Sequence, residues 1–299
     1  MKNFKLYLYF GLFLVLLVGS TRLIINPSAN NISPSTNEIS TSSNEISQPI
    51  SVVSTSSNKV LDREVEHLVR AYPEFLLVDS NFSNAIIWKK DNSHMRFDDG
   101  VLDKDFEKML SEPDLQDQME MLYEPGENFT IRKNYDPGRI RFEPFFKKMY
   151  GATEMEVNAN LETIYWLPSI SNQPLLITRV NGVSQKLQAI SNELDKLVQQ
   201  PDHKYLLKYL ENPGGTFNWR NIVDTNRLST HSFGIAIDIN SSYSDYWEWS
   251  TEGEKEYRNQ IPLEIVTLFE KYGFIWGGKW YHYDTMHFEY RPELIVVQE

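Results

Sequence analysis

Two short stretches of the sequence combine imidazole and carboxylate side chains at spacings that suit metal-ion chemistry. His231 and Asp238 lie in the stretch 229–238, and His287 lies in a second stretch, 284–289. Two imidazole nitrogens and one carboxylate oxygen suit catalytic zinc, which takes three protein ligands and keeps a fourth position for water. Asp284 then remains free to act on that water as a general base. We therefore predict a metal centre held by His231, Asp238 and His287.

Each of these residues taken alone has a structural explanation. A histidine in a glycine-rich turn is commonly structural, and an aspartate beside a strand is commonly a turn former. Glu289 and His282 are alternatives to Asp284 as the base. Cobalt or manganese can occupy a similar ligand set. The combination of three candidate ligands at these spacings is what favours a metal site.

The pattern around Asp238 predicts the element that positions it. Isoleucine alternates with small or acidic residues over 234–239, which is the period of two that a strand shows. One face of that strand carries isoleucine and is buried, and the other leaves room for a ligand beside Asp238. His231 precedes the strand in a turn. A second tight turn places the side chains of Asp284 and His287 on the same side of the chain.

Two motifs of the chain resemble those of the M15 family of zinc metallopeptidases: Ser229-x-His231-x-x-Gly234-x-Ala236-x-Asp238 and Asp284-x-x-His287. The family contains D-alanyl-D-alanine carboxypeptidases, D-Ala-D-Ala dipeptidases and L-alanyl-D-glutamate endopeptidases. All fixed positions of its first motif are present. The second motif has Asp where the family has Glu or Asp, the form that leans toward the endopeptidases. The resemblance extends from about Leu175 to Leu294.

The resemblance implies a fold, a cofactor and a substrate. The fold is α+β, with a small antiparallel sheet and flanking helices, as in zinc DD-peptidases and the Hedgehog signalling domain. The cofactor is Zn²⁺, Asp284 is the general base, and the substrate is the stem peptide of peptidoglycan. Cleavage at D-Ala-D-Ala and at L-Ala-D-Glu both remain open. The alternative function is a non-catalytic, zinc-containing cell-wall binding module. Calcium binding is disfavoured because calcium prefers six to eight oxygen ligands.

Three further residues are candidates for contact with the substrate. Arg220 would stabilise the oxyanion or bind a substrate carboxylate, with Arg227 as a second candidate; an exposed surface arginine is the alternative. Ser229 would bind the substrate or support His231, and a turn-forming serine is the alternative. Trp280 would form an apolar wall of the site.

Composition excludes several classes of function. The net charge of the 299 residues is −12 and no cluster of Lys or Arg occurs, which argues against nucleic-acid binding because phosphate contacts need such clusters. The chain has no cysteine, so disulfides, thiolate zinc sites and cysteine nucleophiles are excluded. The oligomeric state does not follow from the sequence.

Composition also divides the chain into four parts. Residues 1–25 contain an apolar run of about 13 residues after two lysines, near the length of a signal peptide and short of the roughly 20 residues of a spanning helix. An uncleaved N-terminal membrane anchor is slightly favoured over a cleaved signal. The chain is thus predicted to be exported, and anchored to the membrane or secreted to the cell envelope. Residues 26–59 are rich in Ser, Asn and Thr and predict a disordered linker.

The remaining parts are a helical N-terminal part of the globular region, 60–150, and the catalytic domain, 151–299. Apolar periodicity predicts helices over 60–72, 101–110, 114–119, 145–150, 183–199 and 262–272. Strands are predicted over 86–88, 161–167 and 175–180. Asp98 and Asp99 precede Gly100 and predict a turn, with a metal-binding pair as the less favoured alternative.

Overall fold

The computed structural model describes residues 63–79, 81, 84–249 and 256–296. The predicted signal or anchor (1–25) and the predicted linker (26–59) lie outside the described residues. Within the described ranges, no helix is long and apolar enough to cross a membrane.

The described residues form an α+β fold of short helices and small antiparallel sheets, which confirms the predicted fold class. The helices are α1 (63–71), α2 (Phe106–Ser111), α3 (Leu115–Glu120), α4 (Glu143–Tyr150), α5 (Glu154–Asn158), α6 (Val183–Val198), α7 (Leu207–Leu210) and α8 (Leu263–Lys271). The strands are β1 (Leu76–Val78), β2 (Ala85–Trp88), β3 (His94–Arg96), β4 (Leu161–Trp166), β5 (Gln173–Thr178), β6 (Ala236–Asp238), β7 (Phe274–Trp276) and β8 (His287–Tyr290).

The N-terminal part, predicted to be helical with one strand over 86–88, contains that strand as β2 and two further strands beside it. β1, β2 and β3 form a three-stranded antiparallel sheet in that order. Ile86 and Trp88 alternate toward the core, where the Trp88 and Phe145 rings lie 5.5 Å apart. Aromatic pairs at this distance contribute beyond the area they bury, so β2 and α4 hold this region together.

α6 is the longest helix among the described residues and supports the second sheet. Its buried positions recur every three or four residues: Val183, Leu187, Ile190, Leu194 and Val198. This stripe packs against β4, which pairs with β5 in an antiparallel ladder. The predicted helix and both predicted strands are present here, with ends that differ by one or two residues.

The third sheet has the order β6-β8-β7, with both pairings antiparallel. Ile237 and Phe288 are cross-strand partners on the face toward α8, where the Phe288 ring stacks on Phe269 at 4.0 Å. Side chains alternate along a strand. The neighbours of these two residues, Asp238 and His287, therefore lie on the opposite face.

The predicted helix over 101–110 is wrong at its beginning, because α2 starts only at Phe106. Asp103 has a left-handed backbone, with φ of 58°, which no residue inside a helix adopts. The Asp105 carboxylate then caps α2 by accepting the Lys108 N–H at 2.8 Å. This cap sets where the helix begins, although the apolar spacing continues further upstream.

Candidate metal centre

A short 3-10 turn, Thr230–Phe233, places His231 before β6. The Ser229 hydroxyl accepts the backbone N–H of His231 at 3.3 Å and caps the turn. Gly234 ends it with φ of +64°. A Cβ at Gly234 would lie 2.7 Å from Leu161 Cδ2, so both the backbone conformation and the space around it require glycine.

Asp238 and His287 are cross-strand partners of β6 and β8, and their side chains meet. His287 Nδ1 lies 2.8 Å from Asp238 Oδ1. His231 Nε2 lies 3.1 Å from the same oxygen and 3.2 Å from His287 Nδ1. The structure therefore brings together the three predicted metal ligands on one face of the sheet.

The outer nitrogen of each imidazole faces an acceptor. His231 Nδ1 lies 2.5 Å from the Thr216 carbonyl oxygen, which can only accept a hydrogen bond. His287 Nε2 lies 3.2 Å from the Glu289 carboxylate. Each outer nitrogen therefore carries a proton, and in the neutral rings the inner nitrogens present lone pairs to one another and to Asp238. Three converging acceptors need a cation between them, and this donor set fits zinc.

A buried chain of charged groups extends from His287 to the N-terminal region. Glu289 accepts from Arg291 Nη1 at 3.0 Å, and Arg291 Nε donates to Glu293 at 2.5 Å. Glu293 in turn accepts from the Tyr72 hydroxyl at 2.6 Å and from Gln118 at 3.3 Å. Tyr72, which directly follows α1, and Gln118 of α3 thus support the network behind His287, a predicted metal ligand.

The charges of this cluster shift one another's pKa values. Burial alone would lower the pKa of His287, but its hydrogen bonds with Asp238 and Glu289 outweigh burial and raise the pKa to about 10. Burial would raise the pKa of Glu289, yet His287 and Arg291 lower it to about 2. Burial is likewise outweighed at Asp238, whose pKa the two histidines lower. Without a metal, the cluster holds a proton on His287.

Asp284 is a half-buried residue beside this cluster. Its backbone N–H donates to the Gly277 carbonyl at 3.0 Å, and its Oδ1 is buried with no hydrogen-bond partner among the described residues. Burial raises the pKa of Asp284 to about 6, aided by Asp238 and opposed by the two histidines. A side chain at Gly277 would lie 2.5 Å from the Asp284 carbonyl oxygen. The close backbone approach at Gly277 therefore fixes this turn.

The other predicted site residues lie in different settings. The buried Trp280 ring lies 5.7 Å from the His287 ring, which places it at the edge of the ligand cluster. Ser229 is buried as the cap of the His231 turn. Arg220 is exposed, and its guanidinium is 3.5 Å from the Asn221 carbonyl. No hydrogen bond or ion pair among the described residues joins Arg220 to the ligands.

Sequence reasoning missed Thr216 and the supporting role of Glu289. Thr216 binds His231 through its backbone carbonyl, and a backbone contact leaves no signal in side-chain type. Glu289 had a signal, because it stands two positions after His287 and so shares its face of a strand. Arg291 continues that alternation, with charged residues at every second position.

The acidic residues near residue 100 form the predicted turn. Asp98 accepts the Gly100 N–H at 2.6 Å and Asp99 accepts the Val101 N–H at 2.8 Å. Asp98, Asp99 and Asp114 are close enough to share an ion. However, the Lys104 ammonium lies 2.8 Å from Asp99 and 3.6 Å from Asp114. An internal cation already balances these carboxylates.

Comparison with known families matches part of the chain. Residues 223–290 match the M15 peptidase family described as D-alanyl-D-alanine carboxypeptidase. The segment holds both motifs, so the resemblance to the M15 family is confirmed there, and it indicates a hydrolase of the peptidase class. Searches of curated proteins and of solved structures gave no match.

Proposed function

We propose that this chain is a zinc-dependent peptidase that hydrolyses a peptide bond in the stem peptides of peptidoglycan. The observation that carries the proposal is the convergence of His231 Nε2, Asp238 Oδ1 and His287 Nδ1 within 2.8–3.2 Å. A buried carboxylate oxygen of Asp284, without a hydrogen-bond partner in the part of the chain that the structure describes, lies beside them. Together these groups supply a cation site and a proton acceptor, the two requirements of metal-assisted hydrolysis.

Different residues of the chain have different roles in the proposed reaction. Zinc held by His231, Asp238 and His287 would polarise the scissile carbonyl and lower the pKa of water from 15.7 toward about 7. Asp284 takes a proton from the attacking water and delivers it to the leaving amine. Burial opposes the ionisation of Asp284, which helps this carboxylate to hold the proton between the two transfers. Trp280 excludes water from one side.

Two bonds of the stem peptide are candidates for cleavage. The description of the matched family supports a carboxypeptidase that releases the terminal D-Ala. The Asp-x-x-His form of the second motif supports cleavage between L-Ala and D-Glu. Both reactions need the same metal ligands and base, so the distinction lies in how the peptide is bound.

A peptidoglycan substrate requires that the enzyme leave the cytoplasm. The proposed export through residues 1–25 and a linker over 26–59 would place the catalytic part in the envelope, anchored or secreted. The acidic net charge of −12 gives no support to nucleic acid as a partner.

The test incubates the purified chain, with one zinc per chain, with a stem pentapeptide and with peptidoglycan. Products are identified by mass, with and without a chelator. Release of one D-Ala identifies the carboxypeptidase, and a cut after L-Ala identifies the endopeptidase. Absence of both products from a chain that holds its zinc would refute the peptidase and favour a non-catalytic cell-wall binding module.

A further inference from the structure

A group of aromatic side chains lies against the segment that carries Asp284. The ring centroid of Tyr246 lies 5.8 Å from that of Trp249 and 6.1 Å from that of Trp247. The Trp247 ring in turn lies 4.8 Å from the His282 ring. We refer to Tyr246, Trp247, Trp249 and His282 as the aromatic strip. Trp249 is 57% exposed and Tyr246 and Trp247 are half-buried, so the strip presents ring surface to solvent.

The backbone attaches the aromatic strip to the segment of the proposed base. The Trp247 N–H donates to the Tyr283 carbonyl at 3.0 Å, and Tyr246 forms an isolated antiparallel bridge with Asp284. Burial, Glu248 and Asp284 raise the pKa of Tyr246, so its hydroxyl lies within electrostatic range of the Asp284 carboxylate. The exposed rings are therefore next to the residue that would move the proton.

His282 is the member of the strip that is held most firmly. Its backbone N–H donates to one carboxylate oxygen of Asp136 at 2.9 Å, and its Nδ1 lies 2.6 Å from the other. Asp136 is fully buried, so these bonds form away from competing water. The Phe106 ring of α2 stacks on the imidazole at 5.8 Å. Because His282 contacts Trp247, the strip is ordered before any ligand binds, which lowers the entropic cost of binding.

Polar side chains accompany the rings. Glu248 stands between the two tryptophans in the sequence and is exposed. Asp245 directly precedes Tyr246, and its Oδ2 accepts from the exposed Gln260 amide at 3.2 Å. A pyranose ring has an apolar C–H face that packs on an aromatic face, and its hydroxyl groups bond to carboxylates and amides. The combination of exposed rings with these polar groups therefore suits a saccharide.

The charge of this region favours a neutral ligand. Asp245 and Glu248 lie beside the rings in a chain of net charge −12. They oppose the phosphate groups of anionic lipids and of nucleic acids. The glycan strand of peptidoglycan is neutral, because its carboxyl groups are consumed in the amide links to the stem peptides. It is therefore the saccharide that matches both the charge and the proposed substrate.

We propose that the aromatic strip binds a sugar of the glycan strand, next to the stem peptide that the metal centre cleaves. The inference rests on the proposed peptidase function and deepens it, because it makes the preferred substrate a stem peptide that is still attached to its glycan. A stem peptide begins at a sugar, so a surface for the sugar must adjoin the site for the peptide. The bridge between Tyr246 and Asp284 supplies that continuity. Trp249 is the most exposed ring of the strip and provides its main contact.

The kinetic test compares a free stem pentapeptide with the same peptide attached to a disaccharide of the glycan strand. Wild type is expected to show a KM lower by about fivefold or more for the attached peptide, since aromatic contacts contribute on that scale. Trp249→Ala should remove most of this preference, and Trp249→Phe should keep part of it because a ring face remains.

Tyr165→Ala is the matched control for Trp249→Ala. The Tyr165 side chain is exposed to a similar extent, 49%, but it belongs to β4, in a different sheet from the metal ligands. Melting temperatures check that each variant is folded. A preference for the attached peptide that survives in Trp249→Ala, or that Tyr165→Ala also removes, overturns the sugar-binding role of the strip.

A binding measurement separates this inference from the proposed function. Titration calorimetry uses the zinc-loaded chain and glycan strands from which the stem peptides have been removed, so no peptide bond is present. Binding that Trp249→Ala weakens and Tyr165→Ala does not supports the strip even if no peptide is cleaved, in which case only the peptidase function fails. Absence of binding by wild type overturns the strip even if stem peptides are cleaved. Sedimentation with anionic phospholipid vesicles tests the other occupant: binding to vesicles in place of glycan, lost in Trp249→Ala, would overturn the proposal in favour of a membrane surface.

Discussion

Asp238 and His287 stand directly opposite each other on β6 and β8, and Asp238 Oδ1 lies 2.8 Å from His287 Nδ1. Because side chains alternate along strands, a slip of β8 by one residue against β6 would turn His287 to the opposite face, away from Asp238. The pairing that buries Ile237 against Phe288 therefore also sets the ligand geometry. On the same face Ala236 lies opposite Glu289, and its small side chain leaves room for the carboxylate that supports His287.

Replacement of Glu289 by Gln should weaken zinc binding. Glu289 accepts from His287 Nε2 at 3.2 Å, and loss of such a supporting carboxylate commonly costs about 10–100-fold in metal affinity. Competition with a chromophoric chelator measures the affinity. Glu264→Gln is the control, because Glu264 binds the exposed Tyr205. Equal affinities of the two variants would exclude the supporting role of Glu289.

Most of the ligand cluster could be predicted from the sequence, because its geometry depends on local elements. The alternation around Asp238 predicts its strand, and the Asp-x-x-His spacing predicts a turn. Both predictions hold in the structure. Residue types and short spacings were sufficient for this prediction, because each of the two segments that meet is determined by residues adjacent to it in the sequence.

The hydrogen bonds that support the site could not be predicted, because they join residues far apart in the chain. Tyr72 reaches Glu293, and Asp136 reaches His282; neither pair has a local pattern that would connect them. The beginning of α2 was missed for another reason, because the Asp105 cap starts the helix only after its apolar pattern has begun. The exposed position of Arg220 also depends on how its loop folds over the His231 turn.

Asp284→Asn should abolish most peptidase activity and leave zinc bound. The amide keeps the size of the side chain but cannot accept and return a proton, and general base catalysis contributes on the order of 10²–10⁴-fold. The measurement is kcat, together with zinc content from elemental analysis. Asp202→Asn, at an exposed position, should leave kcat unchanged. Full activity of Asp284→Asn would move the role of base to another group, such as His282.

Arg291→Met should destabilise the protein strongly. Arg291 is fully buried between Glu289 and Glu293, and removing one partner of a buried ion pair leaves uncompensated charge at a cost of about 3–5 kcal/mol. Chemical denaturation of the zinc-loaded protein measures the free energy of unfolding. The control is Lys271→Met, whose ion pair with Glu193 is exposed, so little change is expected. Similar unfolding free energies of Arg291→Met and Lys271→Met would show that the buried network around Arg291 contributes no net stability.

The stability of the metal-free protein should fall as the pH rises above neutrality. The pKa of His287 is raised from 6.5 to about 10 by Asp238 and Glu289 against the effect of burial. A raised pKa means that its stabilisation is fully present below pH 6.5 and is lost as the pH passes through about 10. Melting temperatures in chelator from pH 6.5 to 10 should therefore fall more steeply for wild type than for His287→Gln. If the melting temperatures of wild type and His287→Gln fell in parallel with pH, titration of His287 would be excluded as the cause.

Gly234→Ala should destabilise the His231 turn more than glycine replacement at a comparable backbone position. Gly182 has nearly the same φ, 67° against 64°, but a Cβ there would meet only Gln185 Oε1 at 3.5 Å. At Gly234 the Cβ would lie 2.7 Å from Leu161 and 3.2 Å from the Thr178 backbone nitrogen.

Both alanine variants therefore suffer the same backbone strain, of roughly 1 kcal/mol, and only Gly234→Ala adds the clash. Its unfolding free energy should be lower than that of Gly182→Ala, and its zinc affinity should fall because Gly234 directly follows the turn that carries His231. Since Gly182 lies at the start of α6, Gly182→Ala should retain wild-type zinc affinity. Equal losses of stability and of zinc affinity in both variants would mean that the close contact with Leu161 does not hold the ligand in place.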